Sequence, residues 1–299
     1  MQHRVFAAAV IVLSFLGQAA AAAAPPHRIM SLKVCTDELL LDLAPPSRIA
    51  SITFLSREKA SLKVWPQAAS IPVNHNTPEE ILAVHPDLIV TDTFTALALR
   101  PLLAKTGARI LEVPPAENFA QIRANIRLVA RAVGEVRKGE KLIARMDGAL
   151  RDLKAHRPER APSVAEWGEG GYVPGKAALF DALLAAAGAR NIEQRRFGYY
   201  DVEALLAADP DFLVYGDTYA GTASLRADQD LHPALLARYR GRRITYRGLY
   251  GCGVPEMVEG ARQIQDGIRK TYEAKLKIST TKGATAPRQE SAAPAEAVR

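Results

Sequence analysis

The sequence predicts an α/β protein of two lobes, each built on a mostly parallel sheet covered by helices. One long helix joins the lobes, and a ligand cleft lies between them. Three observations lead to this prediction. A twenty-residue segment occurs twice along the 299-residue chain. Strand-like and helix-like segments alternate on both sides of the middle, as in parallel sheets with helical crossovers. The middle itself has the apolar spacing of amphipathic helices.

The repeated segment is a short helix, a turn and a buried strand. Residues 77–96 read TPEEILAVHPDLIVTDTFTA, and residues 201–220 read DVEALLAADPDFLVYGDTYA. Seven of the twenty positions are identical: Glu79/Glu203, Leu82/Leu206, Ala83/Ala207, Pro86/Pro210, Asp87/Asp211, Val90/Val214 and Ala96/Ala220. Two copies are too few for a solenoid and indicate two similar lobes, whose cleft is a natural place for a ligand.

The elements of the first lobe follow in chain order. Apolar segments predict strands at 27–32, 48–53, 87–92 and 109–113. Helix signals predict helices at 36–44, with Thr36 or Asp37 as N-cap, and at 96–107. In the first repeat, Thr77, Pro78 and Glu80 predict a capping box. Residues 54–76 are interpreted as a long polar connection.

The middle of the chain predicts two helices. Apolar residues spaced by three and four form one face of the first: Phe119, Ile122, Ile126, Val129 and Val133. After Gly134, the same spacing continues through Ile143, Met146, Leu150 and Leu153 in a helix over about 135–156. At 1.5 Å per residue this helix is roughly 30 Å long, enough to span both lobes.

The second lobe repeats the alternation. We predict strands at 163–168 and 242–247, a Gly-rich loop at 168–176, and helices at 177–188, 232–239 and 255–277, besides the second repeat.

The two ends are interpreted as segments outside the fold. Residues 1–24 combine Arg4, an apolar stretch and an Ala-rich cleavage region, which is typical of a secretory signal peptide. The absence of a Cys there gives no indication of a lipid anchor. Residues 279–299 contain almost no large apolar side chain, so we expect them to be disordered. The predicted division is 1–24 signal peptide, 25–115 N-terminal lobe, 116–157 linking helices, 158–278 C-terminal lobe and 279–299 tail.

The net charge of +7 is a mild basic excess. It is compatible with anionic ligands or with an ordinary solvated surface. No Lys/Arg run with interleaved aromatic residues is present, so the sequence argues against a nucleic-acid partner.

Four segments in order carry a family resemblance: RIMSLKVCTDELLLDL followed by RIASIT, then TPEEILAVHPDLIV, then GGYVPGKAALFDALLAAAGARNI, then VEALLAADPDFLV. Together they resemble the periplasmic substrate-binding proteins of iron-siderophore, haem and cobalamin ABC importers, over residues 27 to about 272. The resemblance implies a monomeric periplasmic protein that binds a metal chelate, carries no cofactor or resident metal of its own, is not an enzyme, and delivers its ligand to transmembrane permease subunits.

The resemblance also implies a permease-docking role for two acidic residues. The family uses one exposed Glu per lobe to contact arginines of the permease, and Glu79 and Glu203 match these positions in the repeat. The alternative is that each Glu only complements the helix macrodipole. For Glu80 the capping box is a sufficient explanation.

Ligand-binding residues are expected in the loops after the strands, where open α/β sheets bind ligands. The predicted set is Lys33, Phe54, Arg57, His75, Phe94, Trp167, Tyr172, Tyr199, Tyr200, Tyr219, Arg247 and Tyr250. Most of the aromatic candidates, including Phe197, belong to the second lobe. Their flat faces suit a flat chelate. About half of them are expected to reach the cleft and the rest to lie in the core. Arg195 and Arg196 join Arg57 and Arg247 as candidates for chelate oxygens, or are solvated surface residues.

Cys35 and Cys252 follow the first strand of one lobe and the last strand of the other, so both loops should open onto the cleft. Three readings remain open: a disulfide that ties the lobes, two free thiols, or soft donors near a bound metal that His75 could join. The disulfide ranks first.

The expected ligand is a ferric siderophore. The Tyr-centred first-lobe loop of haem binders and the first-lobe tryptophans of cobalamin binders are not found, with Trp65 the single Trp of that lobe. Two alternatives are a bare zinc or manganese binder, against which the scattered histidines argue, and a chelatase-like enzyme on a related scaffold. No P-loop, GxSxG or HExxH pattern is present.

Overall fold

A computed structural model describes residues 24–57, 66–217 and 232–284 of the chain. The first lobe is a five-stranded, fully parallel sheet in the order β3-β2-β1-β4-β5. Its strands are β1 Ile29–Ser31, β2 Ile49–Thr53, β3 Val73–Asn74, β4 Leu88–Asp92 and β5 Arg109–Val113. Helices α1 Val34–Leu43, α2 Pro78–Val84 and α3 Thr93–Leu103 cover it. Every side chain of the central β1 is buried, which suits a strand covered on both faces.

The second lobe holds a four-stranded parallel sheet in the order β11-β10-β6-β8. A separate antiparallel pair, β7 and β9, stands beside it. The strands are β6 Ser163–Glu166, β7 Tyr172–Pro174, β8 Arg190–Asn191, β9 Phe197–Tyr199, β10 Phe212–Gly216 and β11 Arg243–Tyr246. Between the strands lie α6 Leu179–Ala187, α7 Val202–Ala208 and α8 Pro233–Arg238.

Two consecutive helices, α4 Phe119–Val133 and α5 Val136–Ala155, connect the lobes. The predicted apolar face of α4 is buried throughout, at Phe119, Ile122, Ile126, Val129 and Val133. Gly134 ends α4 in the left-handed region at φ 79°, where a residue without Cβ is least strained. The 20-residue α5 packs against α4, α6 and the last helix, so one continuous core joins the linking helices to both lobes.

The last helix, α9, runs from Met257 to Ala284. It extends six residues into the segment predicted to be a disordered tail, so the boundary at residue 278 is wrong. The remainder of that tail and the predicted signal peptide up to residue 23 lie outside the described residues. In the part of the chain that the structure describes, no helix is both long and apolar enough to cross a membrane.

The two copies of the repeat fold in the same way. Thr77 and Asp201 each cap a seven-residue helix with a side-chain oxygen, and Thr77 forms the predicted capping box with Glu80. Both helices end in a left-handed residue, His85 or Asp209.

The identical Asp of the repeat has the same task in each lobe. The Asp87 carboxylate accepts hydrogen bonds from the backbone N–H groups of His27 and Arg28, just before β1. The Asp211 carboxylate accepts from the backbone N–H and the hydroxyl of Ser163, the first residue of β6. Each Asp therefore fixes the start of the strand that lies beside its own.

Three local predictions differ from the structure. Helix α1 begins after Lys33, so Thr36 and Asp37 lie inside it and do not cap it. Asp37 is buried and accepts hydrogen bonds from Thr53 and Ser56 on the neighbouring segment. The connection 54–76 contains β3, and the loop 168–176 contains β7. Strands of two or three residues carry too little periodicity to be recognised in sequence.

Candidate functional site

The carboxyl ends of the two sheets meet at one boundary. Cys35, in the first turn of α1 after β1, forms a disulfide with Cys252, which follows β11 in the other lobe. A small cavity of about 120 Å³ lies beside it and is lined from both sides, by Cys35 and Asp92 in the first lobe and by Gly251 and Gly253 in the second. The loops at these strand ends form the candidate cleft, the usual ligand position in open α/β sheets.

The exposed aromatic side chains of the described residues all lie at this edge: Phe54, Phe94, Tyr172, Phe197 and Tyr199, between 39% and 71% exposed. Phe54 directly follows β2, and Phe94 lies two residues after β4. The other three come from the β7–β9 pair, where they touch one another with ring centroids 5.7 to 6.0 Å apart. Apolar aromatic surface left in solvent on both sides of a cleft is typical of a ligand site.

His75 stands at the first-lobe side of the cleft in a fixed orientation. Its ring stacks on Phe54, with centroids 5.0 Å apart and planes 20° from parallel. Its Nδ1 lies 3.0 Å from Glu80 Oε1, and its backbone N–H donates to Glu80 Oε2. These hydrogen bonds from His75, the side-chain bond first, lower the pKa of Glu80 to about 2. The imidazole side chain remains 57% exposed.

Charged residues also line the edge. Lys33 Nζ lies 3.4 Å from Asp92 Oδ2, and Asp92 caps α3. Arg196 reaches across from the second lobe and forms an ion pair with Glu117, just before α4. This pair and the disulfide link the second-lobe loops to the rest of the molecule.

Glu166 is a site residue that the sequence did not indicate. It is the last residue of β6 and accepts a 2.6 Å hydrogen bond from the Tyr246 hydroxyl, at the end of β11. Burial raises the pKa of the Glu166 carboxyl to about 7, and the Tyr246 hydrogen bond opposes that rise only partly. The hydropathy pattern did not indicate a buried carboxyl group at this position, because a single Glu at the end of a short strand looks like an ordinary exposed residue.

Several predicted ligand residues have structural partners. Trp167 is 2% exposed and packs in the second-lobe core, so its assignment to the cleft surface is wrong. Tyr200 packs against the same core and donates to Glu193. Arg57 donates to the Ile71 carbonyl, and Arg195 binds Glu193 with both Nε and Nη2.

The other predicted site residues have fewer described side-chain contacts. Arg247 is half-buried, and its backbone N–H donates to Gln263. Tyr250 lies in the short 3₁₀ turn Leu249–Gly251, but its side chain is not described. Tyr219 lies outside the described residues. Glu79 and Glu203 are both exposed on the first turns of α2 and α7.

A group of acidic residues is buried where the lobes meet. Glu38 and Asp42 of α1 face Glu256, which precedes α9. The pKa of Glu38 is well above its ordinary value, mainly because its carboxyl group is buried. Repulsion from Glu256 is the second cause. Burial and then the neighbouring Asp42 also raise the pKa of Glu256. Arg145 Nη2, 3.5 Å from Glu256 Oε1, is the cation paired with this group.

No group of three or more His, Cys, Asp and Glu side chains is arranged to hold a metal ion among the described residues. A groove of about 710 Å³ lies between His156–Arg160 and residues 265–273 of α9. It is near the beginning of β6, at the opposite end of the second sheet from the exposed aromatic residues. The candidate site is therefore identified by the exposed aromatic residues and not by the volume of this groove.

Comparisons with known proteins agree with this arrangement. The periplasmic binding protein family matches residues 29–232. An uncharacterised ABC transporter substrate-binding lipoprotein of Bacillus subtilis, YvrC, is 20% identical over 259 residues, covering 81% of this chain and 80% of the relative.

Solved structures share the fold. A periplasmic haem-binding protein from Pseudomonas aeruginosa matches with a TM-score of 0.67 and 21% identity, over 80% of this chain and 91% of that one. The vitamin B12 binding protein BtuF of Vibrio cholerae matches with a TM-score of 0.64 and 15% identity, over 83% and 98%. The chain therefore belongs to the periplasmic binding protein family, whose members are substrate-binding proteins of ABC transporters and not enzymes.

Proposed function

We propose that this protein is the periplasmic solute-binding component of an ABC importer that captures a metal chelate in the cleft between its lobes. The observation that carries the proposal is the position of the exposed aromatic side chains. Phe54 and Phe94 on one side and Tyr172, Phe197 and Tyr199 on the other leave apolar faces in solvent at the strand ends of both lobes. Such faces suit a ligand with its own flat, conjugated surface.

The disulfide favours a cleft that changes shape little on binding. It joins the first turn of α1 to the segment after β11 beside the small shared cavity, and α4 and α5 pack continuously against the core. A pre-formed site loses less conformational entropy on binding. We infer that the ligand enters between lobes that stay close to their described positions.

Delivery to a permease would use the two exposed acidic residues of the repeat. Glu79 and Glu203 occupy equivalent positions on α2 and α7, one on each lobe. No ion pair with either carboxylate is formed by the described residues. Leu82, one turn after Glu79, is 42% exposed and adds an apolar contact to the first-lobe surface. Charges at the rim of an interface set register and partner choice.

Export would depend on residues 1–24 acting as a cleaved signal peptide. Mass spectrometry of the exported protein would give its N-terminus, and a protein that retains residues 1–24 would contradict the proposed cleavage.

The binding role is tested by titrating the exported protein and following its Trp and Tyr fluorescence. The panel contains ferric hydroxamate, catecholate and carboxylate siderophores, haem, cobalamin, zinc and manganese. Saturable binding of one chelate class at micromolar concentration or tighter, about −8 kcal/mol or better, is expected. Binding of free metal alone would overturn the chelate proposal in favour of a bare-metal binder.

The docking role is tested with the double charge reversal Glu79→Lys and Glu203→Lys. Uptake of the chelate by intact cells should be lost, while the affinity of the purified variant stays unchanged. Glu112→Lys and Glu159→Lys, at other exposed sites, provide the matched control. Unchanged uptake by the Glu79/Glu203 variant would contradict the docking role.

A further inference from the structure

The basic excess of the chain is concentrated in its two linking helices. Residues 116–157 contain ten Lys and Arg against five Asp and Glu, which gives +5 of the chain's net +7. In the rest of the chain, basic and acidic residues nearly cancel. The positive charge of the protein therefore belongs mainly to one part of the fold.

The acidic residues of α5 do not neutralise its exposed cations. Each is paired with an arginine of a neighbouring helix: Glu140 with Arg127, Asp147 with Arg123, and Asp152 with Arg262. Five basic residues of α5 are exposed and form no ion pair with any described residue: Arg137, Lys138, Lys141, Arg151 and Lys154. The surface of α5 thus carries cations whose acidic neighbours are already paired.

The cations follow one side of the helix. Arg137, Lys141 and Arg151 lie in a row with Ala144 and Gly148, spaced by three and four residues. At 1.5 Å per residue, the row from Arg137 to Arg151 is about 21 Å long. The small residues between the cations allow a flat surface to approach the helix closely, and the opposite side of α5 is buried in the core. This row is the basic face of α5.

The basic face lies away from the candidate cleft. At the start of α5, Glu135 pairs with Arg48, which precedes β2. At its end, the chain leads through residues 156–162 into β6. Both ends of α5 are therefore at the amino ends of strands, whereas the exposed aromatic residues lie at the carboxyl ends. A partner on the basic face leaves the cleft open.

We propose that the basic face of α5 binds the anionic headgroups of a phospholipid bilayer and holds the exported protein on a membrane with its cleft toward the aqueous space. Clusters of Lys and Arg are attracted to anionic lipid surfaces by electrostatics alone and need no built pocket. A planar bilayer matches a straight row of charges, because each cation in the row can meet a headgroup phosphate.

The composition of the face favours a lipid surface over an acidic protein. Protein interfaces are anchored by buried aromatic and apolar side chains and are depleted in Lys. The basic face offers Arg, Lys, Ala and Gly, and α5 contains no aromatic residue. The proposal depends on the charge of α5 and not on the chelate, so it can fail while the proposed binding function stands.

The test is co-sedimentation of the exported protein with extruded vesicles. One set contains equal parts of phosphatidylglycerol and phosphatidylcholine, and the other contains phosphatidylcholine alone. At low salt the protein should bind the phosphatidylglycerol vesicles at least about tenfold more tightly than the neutral ones. Raising the ionic strength to about 0.5 M should remove this binding, because the Debye length then falls below about 5 Å.

A triple variant tests the face itself. Arg137→Gln, Lys141→Gln and Arg151→Gln together should weaken binding to phosphatidylglycerol vesicles at least about tenfold. The matched control combines Lys105→Gln, Lys176→Gln and Arg240→Gln, which remove the same charge from exposed residues outside the linking helices. The control should lose less than about twofold in affinity, and urea unfolding should show the same stability for both variants.

The orientation on the membrane is tested with a single spin label. Because Cys35 and Cys252 are joined in a disulfide, Ala144→Cys and Ala204→Cys each add one free thiol for a nitroxide. On phosphatidylglycerol vesicles, the label at residue 144 should lose most of its accessibility to a water-soluble nickel complex. The label at residue 204, on α7, should keep it.

The contrary outcomes are distinct. Equal binding to both kinds of vesicle, or binding that survives high salt, would exclude the anionic headgroup as the partner. Equal losses in the triple variant and its control would assign the effect to net charge and not to the basic face. Absence of vesicle binding would overturn the proposal, and retention on immobilised polyglutamate that the triple variant loses would then indicate an acidic protein instead.

Discussion

The first copy of the repeat, in α2 and β4, and the second, in α7 and β10, share the features that build the lobes. Thr77 and Asp201 cap their helices, and Asp87 and Asp211 fix the start of the neighbouring strand. These roles are backbone hydrogen bonds, which any folded lobe must satisfy. The Asp that both copies share therefore records a requirement of the fold.

Two differences between the copies lie on the cleft side of the lobes. Glu80 is replaced by Ala204 and His75 by Tyr199, so one lobe presents an oriented imidazole and the other a phenol within an aromatic cluster. The two lobes thus present different side chains to the candidate cleft.

The largest expected effect comes from breaking the covalent link between the lobes. The disulfide closes a loop with a sequence separation of 217 residues. Cys35→Ser with Cys252→Ser should lower the free energy of unfolding by about 3–5 kcal/mol, because the unfolded chain regains the entropy of that loop. Urea unfolding measures the change, with dithiothreitol-treated wild type as the matched sample. An unchanged midpoint would mean that packing alone holds the lobes together.

The next effect tests the equivalence of the two copies. Asp87→Ala and Asp211→Ala each remove an acceptor of two hydrogen bonds, and each should lower the free energy of unfolding by about 2 kcal/mol. Thermal or urea unfolding of both variants gives the comparison. A loss confined to one variant would show that the shared Asp has a structural role in only one lobe.

The capping box at Thr77 was predictable because it is local. It depends on residues close in sequence, and it was predicted correctly. Pairing of β7 with β9 joins segments about 25 residues apart and was missed, although it brings Tyr172, Phe197 and Tyr199 together.

The second feature that could not be predicted from the sequence is which side chains are buried. Glu166 and Trp167 are adjacent at the end of a strand, so their side chains point to opposite faces of the sheet. The sequence does not indicate which of the two side chains faces the core of the lobe. The predicted set of aromatic ligand residues therefore included one that lies in the core. The buried carboxyl groups Glu38 and Glu256 come from segments more than 200 residues apart and carry no local pattern.

A smaller effect depends on pH and on residues from both lobes. Glu38 and Glu256 have raised pKa values in the folded protein. The folded state therefore binds more protons than the unfolded chain above the ordinary Glu pKa of about 4.3, and stability falls as pH rises toward neutrality. Glu256→Gln should reduce this fall and raise the stability at pH 8 by about 1–2 kcal/mol.

Urea unfolding between pH 4 and 8 measures the slope. Glu259→Gln, on the exposed face of α9 beside Arg262, is the matched control and should leave the slope unchanged. If Glu256→Gln has the wild-type slope, the acidic group at the lobe boundary does not govern the pH dependence.

The smallest effect compares the two helix caps. Thr77→Ala and Asp201→Ala should each cost about 1 kcal/mol of unfolding free energy, because each leaves a backbone N–H at the helix start without its side-chain acceptor. Glu80→Gln should cost less than either, since Gln can replace Glu in a capping box. A larger loss in Glu80→Gln than in Thr77→Ala would show that Glu80 serves the fold and not His75.

The most direct test of the cleft as the ligand site is the affinity of a paired aromatic variant. Phe54→Ala with Tyr199→Ala removes one exposed ring from each lobe, and Leu236→Ala removes an exposed apolar residue of α8 as the control. Titration with the tightest chelate of the panel should show at least about a hundredfold loss for the pair and none for the control. Equal affinities of the paired variant and the wild type would place the ligand somewhere other than between these two faces.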